Sequence, residues 1–244
     1  ILIGGTPIGP QLRDLRHNPR VVIGTPGRIK DHLERRSLNL QSFNIVVLDE
    51  VDRMLDMGFV NDITLILSKL SEERQSLFFS ATMDARVERL IQQFSNDPVS
   101  VSVKTSASSE NVNQDVIAYG SKSDRLDKLH NLLNNSQVNK VIVFDDTQRA
   151  VEALSKELSA RGFSAGAIHG GKSQGQRQRV LSRFKTDEIS ILVATDVAAR
   201  GIDVKDITHV VNYSVPQSYN DYIHRIGRAG RAGKIGHALT FVTA

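Results

Sequence analysis

Residues 45–52 read Ile-Val-Val-Leu-Asp-Glu-Val-Asp, four branched apolar side chains running straight into Asp49, Glu50, Val51 and Asp52. An unbroken apolar run of this length reads as a buried strand of a parallel sheet. In open α/β sheets, ligands sit beyond the carboxyl ends of the strands. Asp49, placed there, can hold Mg²⁺, usually through water, and Glu50 beside it can orient or deprotonate an attacking water. An acidic turn before a helix gives the same letters, because Asp also favours a helix N-terminus. On this octapeptide alone both readings stand.

Runs of the same kind recur on either side. Strands are expected at Val21–Ile23, Leu77–Phe79, Val99–Val103, Val116–Tyr119, Val141–Phe144, Ala165–Ile168, Ile191–Ala194, Val210–Tyr213 and Ala238–Val242. Amphipathic stretches lie between them. Ile63, Ile66, Leu67 and Leu70 share one helix face, as do Val151, Leu154 and Leu158, with Gly162 suited to ending that helix. The alternation predicts an α/β fold with parallel sheets flanked by helices. Lys104–Asn111 (KTSASSEN) breaks the rhythm, being polar, serine-rich and aperiodic. It reads as a linker between two α/β domains, with boundaries expected at 1–103, 104–112 and 113–244. A length of 244 residues, 40% of them apolar, suffices for two cores of roughly 100 residues each.

A net charge of +4 permits an anionic partner without demanding one. The absence of cysteine excludes disulfides and thiolate metal sites, and suits a reducing, cytoplasmic setting. No apolar run approaches the roughly 18 residues of a membrane span, and no charged-then-apolar leader opens the chain. Both ends fall inside apolar runs, Ile1–Ile3 and Leu239–Val242, so the sequence is expected to be cut from a longer one.

Ser218–Arg231 reads SYNDYIHRIGRAGR. Ser218 and Asp221 predict a capping box, and Tyr219, Tyr222, Ile223 and Ile226 an inward-facing stripe. Arg225, Arg228 and Arg231 then recur every third residue in a glycine frame that leaves their guanidinium groups room to approach a ligand. Arginine binds phosphate oxygens in a planar fork and stabilises charge on a transferring phosphoryl group. A solvated basic edge is the plainer alternative.

Gly166–Ser173, GAIHGGKS, matches the phosphate-loop pattern G-x-x-x-x-G-K-[ST]. Such a loop would place Lys172 on the β/γ-phosphates and Ser173 on the metal. The pattern requires a strand before its first glycine, and here Ala165–Ile168 is itself the expected strand, so the match is rejected. Gln174, Arg177, Leu181 and Phe184 instead lie along one stripe of a helix that turns polar toward its N-terminus.

Taken in order, these elements resemble the DEAD-box RNA helicases of superfamily 2 over essentially the whole chain. Gly4-Gly5 resembles the family's GG element and Thr25-Pro26-Gly27-Arg28 its TPGR element. Asp49-Glu50-Val51-Asp52 stands where the family name is spelled, followed by RMLDMGF. Ser80-Ala81-Thr82 resembles SAT, Val141–Thr147 motif IV, His169-Gly170 with Gln174 and Arg177 the HG…QxxR element, Ala194–Asp203 motif V and His224–Arg231 motif VI. His224, TPGR and ARGID favour this branch over DEAH-type and RecQ-like relatives, and so favour RNA.

The resemblance implies two RecA-like domains, the first incomplete at its N-terminus, and an RNA-dependent ATPase using ATP and Mg²⁺. It implies that Asp49 holds the hydrated Mg²⁺ and Glu50 acts on water, while Asp52, Ser80, Thr82 and His224 couple the nucleotide to the domains. Asp203, with Gly201, would contact the nucleotide, and Arg228 and Arg231 the γ-phosphate. Gly5, Thr25, Gly27, Arg28, Thr147, Gly170, Arg177 and Thr195 would line an RNA backbone, giving sequence-tolerant, salt-sensitive binding to a single strand or short duplex. ATP would bridge the domains, and closure would bend the strand.

Val51 replaces the usual Ala, and Gly171-Lys172-Ser173 replaces a different loop after HG. The family's Q motif, phosphate loop and PTREL element precede GG and are not in these residues. The expectation is that this piece alone hydrolyses ATP very poorly. If the parent gene lacks the phosphate loop, it encodes a non-catalytic RNA-binding protein.

Overall fold

The computed structural model describes residues 1–102, 111–199, 202, 204–230 and 234–244. The chain divides into two compact units, Ile1–Ser102 and Val103–Ala244.

In the first unit the elements run α1 (Ile8–Leu15), α2 (Pro26–Glu34), β1 (Ile45–Leu48), α3 (Val51–Asp56), α4 (Val60–Ser68), β2 (Gln75–Phe78) and α5 (Ala85–Phe94). β1 and β2 pair in parallel, Ile45 opposite Gln75 and Leu48 opposite Phe78. The core gathers Leu2, Leu48, Val51, Leu55, Ile63, Leu67, Val87 and Leu90. Ile63 and Leu67, one turn apart on α4, supply its apolar face; Leu70 is buried too but lies past the helix end.

Three expectations need correction here. β1 is not buried on both faces, since Ile45 and Val47 are each 55% exposed. Val21–Ile23 forms no strand; a single parallel bridge, Leu2 to Gly24, stands beside it. Val99–Ser102 forms none either, and Val99 and Val101 are exposed; Val103 lies outside the described residues. The reasons differ. β1 is paired with β2, but nothing covers one of its faces at Ile45 and Val47. A strand exists by pairing its backbone N–H and C=O groups along a neighbour; Val21–Ile23 has only the Leu2 N–H on the Ile23 carbonyl at 2.7 Å and the bridge beside it, and Val99–Ser102 is in no ladder.

The second unit runs β3 (Val112–Tyr119), α6 (Lys122–Leu133), β4 (Val141–Phe144), α7 (Gln148–Ala160), β5 (Ala165–Ile168), α8 (Gln174–Lys185), β6 (Ile191–Ala194), α9 (Asp196–Ala199), β7 (His209–Asn212), α10 (Tyr219–Ile226) and β8 (Gly236–Thr243). The strands form one parallel six-stranded sheet, ordered β3-β8-β7-β4-β6-β5. Val112, assigned to the linker on composition, opens β3 opposite Gly236; residues 104–110 of that linker lie outside the described residues.

Alternate side chains of each strand feed opposite cores, as the two-residue period requires. Ile142, Phe144, Leu192, Ala194 and Val210 pack with Phe184 and Ala198 on one face. Val141, Val143, Ile191, Val193 and Val211 pack with Leu129, Val151, Leu154 and Leu158 on the other. Gly162, at φ 92°, follows α7 in the left-handed conformation that stops a helix at little cost for glycine. Gly166 is needed for a different reason: a Cβ there would lie 2.6 Å from the Ile189 side chain.

Candidate functional site

Asp49 sits just past the carboxyl end of β1, solvent-exposed, with its Oδ1 accepting from the Glu50 N–H at 2.9 Å. Glu50 adopts φ 50°, ψ 50°, a left-handed conformation that costs a non-glycine residue on the order of 1 kcal/mol. The turn is held from behind. The Phe79 N–H donates to the Leu48 carbonyl at 2.8 Å, and the Val51 N–H to the Phe79 carbonyl at 3.0 Å.

Asp52, 4% exposed, is the inner anchor. Its Oδ2 accepts from both the N–H and the hydroxyl of Thr82 at 2.9 Å, and its own N–H donates to Ser80 Oγ at 3.2 Å. Ser80 Oγ in turn donates to the Thr82 carbonyl at 2.7 Å. The structure therefore brings Asp52, Ser80 and Thr82 into one network that leaves Asp49 and Glu50 at the open strand end. Among the described residues no group of three acidic or histidine side chains could cage a metal. Mg²⁺ commonly keeps several waters and takes only one or two carboxylates besides phosphate oxygens. The lone exposed carboxylate of Asp49 fits an ion held through water.

Elsewhere in this unit the GG and TPGR elements meet. Gly4 and Gly5 have open space where a Cβ would stand, and Gly5 has φ 73°. Thr25 caps α2, its N–H donating to the Leu2 carbonyl at 2.9 Å, and Pro26 occupies the first helical turn. Arg28 reaches across with both terminal nitrogens 3.2 Å from the Thr6 carbonyl. Among the described residues the N–H groups of Gly4, Gly5, Thr6 and Gly27 meet no acceptor. This is a cluster of free donors at the N-termini of α1 and α2, an arrangement suited to phosphate oxygens.

In the second unit the candidate residues gather at the carboxyl ends of β4, β5 and β6, which are neighbours in the sheet. Thr147 caps α7 by accepting from the Ala150 N–H at 3.1 Å. Gly170 follows β5 beside Gln148. Arg177 lies on α8, half-buried, and Thr195, 8% exposed, follows β6. The phosphate-loop look-alike is spent on structure: Gly166–Ile168 is strand, and Ser173 caps α8 in a capping box with Gln176. Lys172 Nζ lies 2.9 Å from Glu152 Oε2, which His169 Nε2 also approaches at 3.2 Å. The Lys172 and His169 hydrogen bonds hold the Glu152 carboxyl below its usual pKa.

The two described arginines of motif VI, Arg225 and Arg228, do not act alike. Arg225, 1% exposed, forks onto Asp196 at 2.6 and 2.7 Å and donates to the Ser214 carbonyl at 2.7 Å and Asn212 Oδ1 at 3.3 Å. It is a latch between α10 and the ends of β6 and β7, not a ligand arm and not a solvated edge. Arg228 is half-buried and donates to the Ile202 carbonyl at 3.0 Å. His224 is half-buried on α10. Ser218 Oγ accepts from the Asp221 N–H, the Ser218 half of the expected capping box, and donates to the Asp221 carboxylate. Gly201, Asp203 and Arg231 lie outside the described residues. Sequence reasoning missed Asp196, although it stands one residue past an apolar strand, a pattern close to the one that flagged Asp49.

Residues 1–90 match the family model described as DEAD/DEAH box helicase, and residues 121–233 that of the helicase conserved C-terminal domain. The chain belongs to the DEAD-box RNA helicase family. It is 46% identical to the DEAD-box ATP-dependent RNA helicase CshA of Bacillus licheniformis, over 99% of this chain and 50% of that protein. It is similar to S. cerevisiae Dbp5 bound to RNA and ADP BeF3, with a TM-score of 0.81 and 30% identity, over 92% of this chain and 59% of that one. It also resembles a hypothetical ATP-dependent RNA helicase from Sulfolobus tokodaii, at 32% identity and a TM-score of 0.54, over 99% of this chain and 70% of that one. The chain spans about half the length of the curated relatives it matches.

Proposed function

We propose that this chain is part of an ATP-dependent RNA helicase, which couples ATP binding and hydrolysis to local duplex unwinding or remodelling of an RNA–protein complex. The observation that carries the reading is the Asp52–Ser80–Thr82 network, which fixes the strand-end turn and leaves Asp49 and Glu50 open for chemistry. Asp49 would hold Mg²⁺ through water, and the ion would supply charge neutralisation at the phosphates. Glu50, held in its strained turn, orients the attacking water or takes its proton. The first unit is the C-terminal part of the first RecA-like domain, and the second RecA-like domain begins no later than Val112, which opens β3. Arg228 and Arg231 reach the γ-phosphate, Asp203 and Gly201 the nucleotide, and His224 links motif VI to the coupling network. The free N–H groups of the Gly4–Thr6 loop and Gly27, with Thr25 and Arg28, contact the RNA sugar-phosphate backbone, as do Thr147, Gly170, Arg177 and Thr195. The absence of cysteine supports a cytoplasmic setting, and no helix among the described residues is long and apolar enough to cross a membrane.

The test is Glu50→Gln in the complete protein. Turnover should vanish while ATP-dependent RNA binding persists; undiminished hydrolysis would refute the role of Glu50. A second reading, an RNA-binding module without hydrolysis, is favoured by one observation: the only phosphate-loop match in these residues is strand and cap, with its lysine paired to Glu152. Coding sequence upstream that contains G-x-x-x-x-G-K-[ST] after a strand decides for the enzyme. For these 244 residues alone, the expected RNA-stimulated ATPase is very weak, and a rate comparable to a complete relative would overturn that.

A further inference from the structure

Behind the Gly4–Thr6 loop runs a buried chain of polar side chains. His32, 0% exposed on α2, and Gln11, 5% exposed on α1, touch through His32 Nε2 and Gln11 Oε1 at 3.2 Å. His32 Nδ1 lies 2.8 Å from Ser37 Oγ. An amide oxygen only accepts, so in the neutral ring Nε2 carries the proton and Nδ1 is an acceptor, and the one Ser37 hydroxyl proton has Nδ1 and the His32 carbonyl, at 3.1 Å, as its two acceptors. Burial, the largest cause, moves the His32 pKa below its ordinary value and favours that neutral ring.

With its oxygen taken by His32, Gln11 must turn its NH₂ toward the loop. It donates to Thr6 Oγ1 at 2.7 Å and to the Ile3 carbonyl at 3.1 Å. The reverse amide orientation would set oxygen against the Ile3 carbonyl, so only one is allowed. Thr6 Oγ1 also donates to the Ile3 carbonyl at 2.9 Å, and Arg28 takes the Thr6 carbonyl. The loop's acceptors at Ile3 and Thr6 are thus occupied by protein donors, while the N–H groups of Gly4, Gly5 and Thr6 keep no acceptor among the described residues.

We propose that Gln11, oriented by His32, is a positioning residue for RNA binding: it sets the free donors of the Gly4–Thr6 loop for a sugar-phosphate backbone without touching the RNA. The proposal rests on the reading of this loop as an RNA contact, given above.

The test is the affinity of the 244-residue chain for a short fluorescein-labelled oligouridylate, with thermal unfolding recorded for every variant. Gln11→Leu removes both loop bonds at similar volume, and His32→Phe removes only the group that orients Gln11. Each should weaken binding by the folded chain about five- to tenfold, the scale of one or two lost hydrogen bonds. The double variant should bind no worse than Gln11→Leu alone, a non-additivity in RNA affinity that a merely structural role would not produce. Gly27→Asp serves as the control for the site itself. It places a carboxylate in the first turn of α2, with its Cβ 3.9 Å from Asp62 Oδ2, so its unfolding curve is read with the others before its affinity is used. If Gly27→Asp weakens binding and the folded Gln11→Leu and His32→Phe variants bind as the parent does, the positioning role is overturned and the RNA site stands. If all three bind as the parent does, the RNA site is overturned and the inference with it. Should Gln11→Leu fail to fold, His32→Phe against Gly27→Asp makes the same decision.

Discussion

Asp49 and Asp196 occupy equivalent places in their two units and meet opposite fates. Asp49 immediately follows the four-residue apolar strand β1, and Asp196 opens α9 one residue beyond the four-residue apolar strand β6. Asp196 is gripped by the fully buried Arg225, whose remaining donors go to Asn212 and the Ser214 carbonyl. Among the described residues Asp49 accepts only from the adjacent Glu50 N–H, and it stays exposed. The difference lies in the neighbours. β6 runs between β4 and β5, and α10, which follows β7, brings the Arg225 guanidinium to Asp196; β1 has β2 beside it, and the SAT turn grips Asp52 in place of Asp49. A strand-end carboxylate is therefore a structural or a chemical group according to what the topology delivers to it.

The comparison can be broken most forcefully at Asp196. Replacing it with Ala leaves the buried Arg225 charge uncompensated, which should cost the second unit about 3–5 kcal/mol in urea unfolding. A loss under about 1 kcal/mol would mean the latch is not structural. Acid is next in size. Burial, with the stacked His237 4.8 Å away as the lesser cause, lowers the pKa of His209 from 6.5 to about 4. The unfolded chain therefore binds a proton that the folded chain refuses. Stability from this group is complete above pH 6.5, falls as pH drops through that window, and is lower by about 3 kcal/mol once pH is below 4. A His209→Phe variant should unfold with a flatter dependence between pH 7 and 4, and an unchanged slope would remove His209 as its source. The smallest effect belongs to Asp49→Asn, which should shift the first unit's stability by less than about 0.5 kcal/mol, since no buried partner is lost. A large loss there would make Asp49 as structural as Asp196.

Much of the second unit was legible in the sequence. Val141–Phe144, Ala165–Ile168 and Ile191–Ala194 are strands with the expected bounds, because a strand covered on both faces must be apolar throughout. The same rule misled at Ile45, Val47 and Val21–Ile23, where apolar letters are not matched by covering neighbours. The carboxylate turn at 49–52 was readable because all its members are local. Arg225 was not, because its partners Asp196 and Asn212 lie 29 and 13 residues away and are assembled by strand order. Gln11 and His32 were missed for the same reason: each looks like an ordinary polar residue of an amphipathic helix until α1 and α2 are packed together.

The most direct measurement is the initial rate of RNA-stimulated ATP hydrolysis by the complete protein carrying Asp49→Asn, across a Mg²⁺ titration. If Asp49 is the open, chemical carboxylate, the rate should fall by at least about a hundredfold, the scale of a lost charge-stabilising group, with folding intact. A folded variant that hydrolyses ATP at the parent rate would contradict the account.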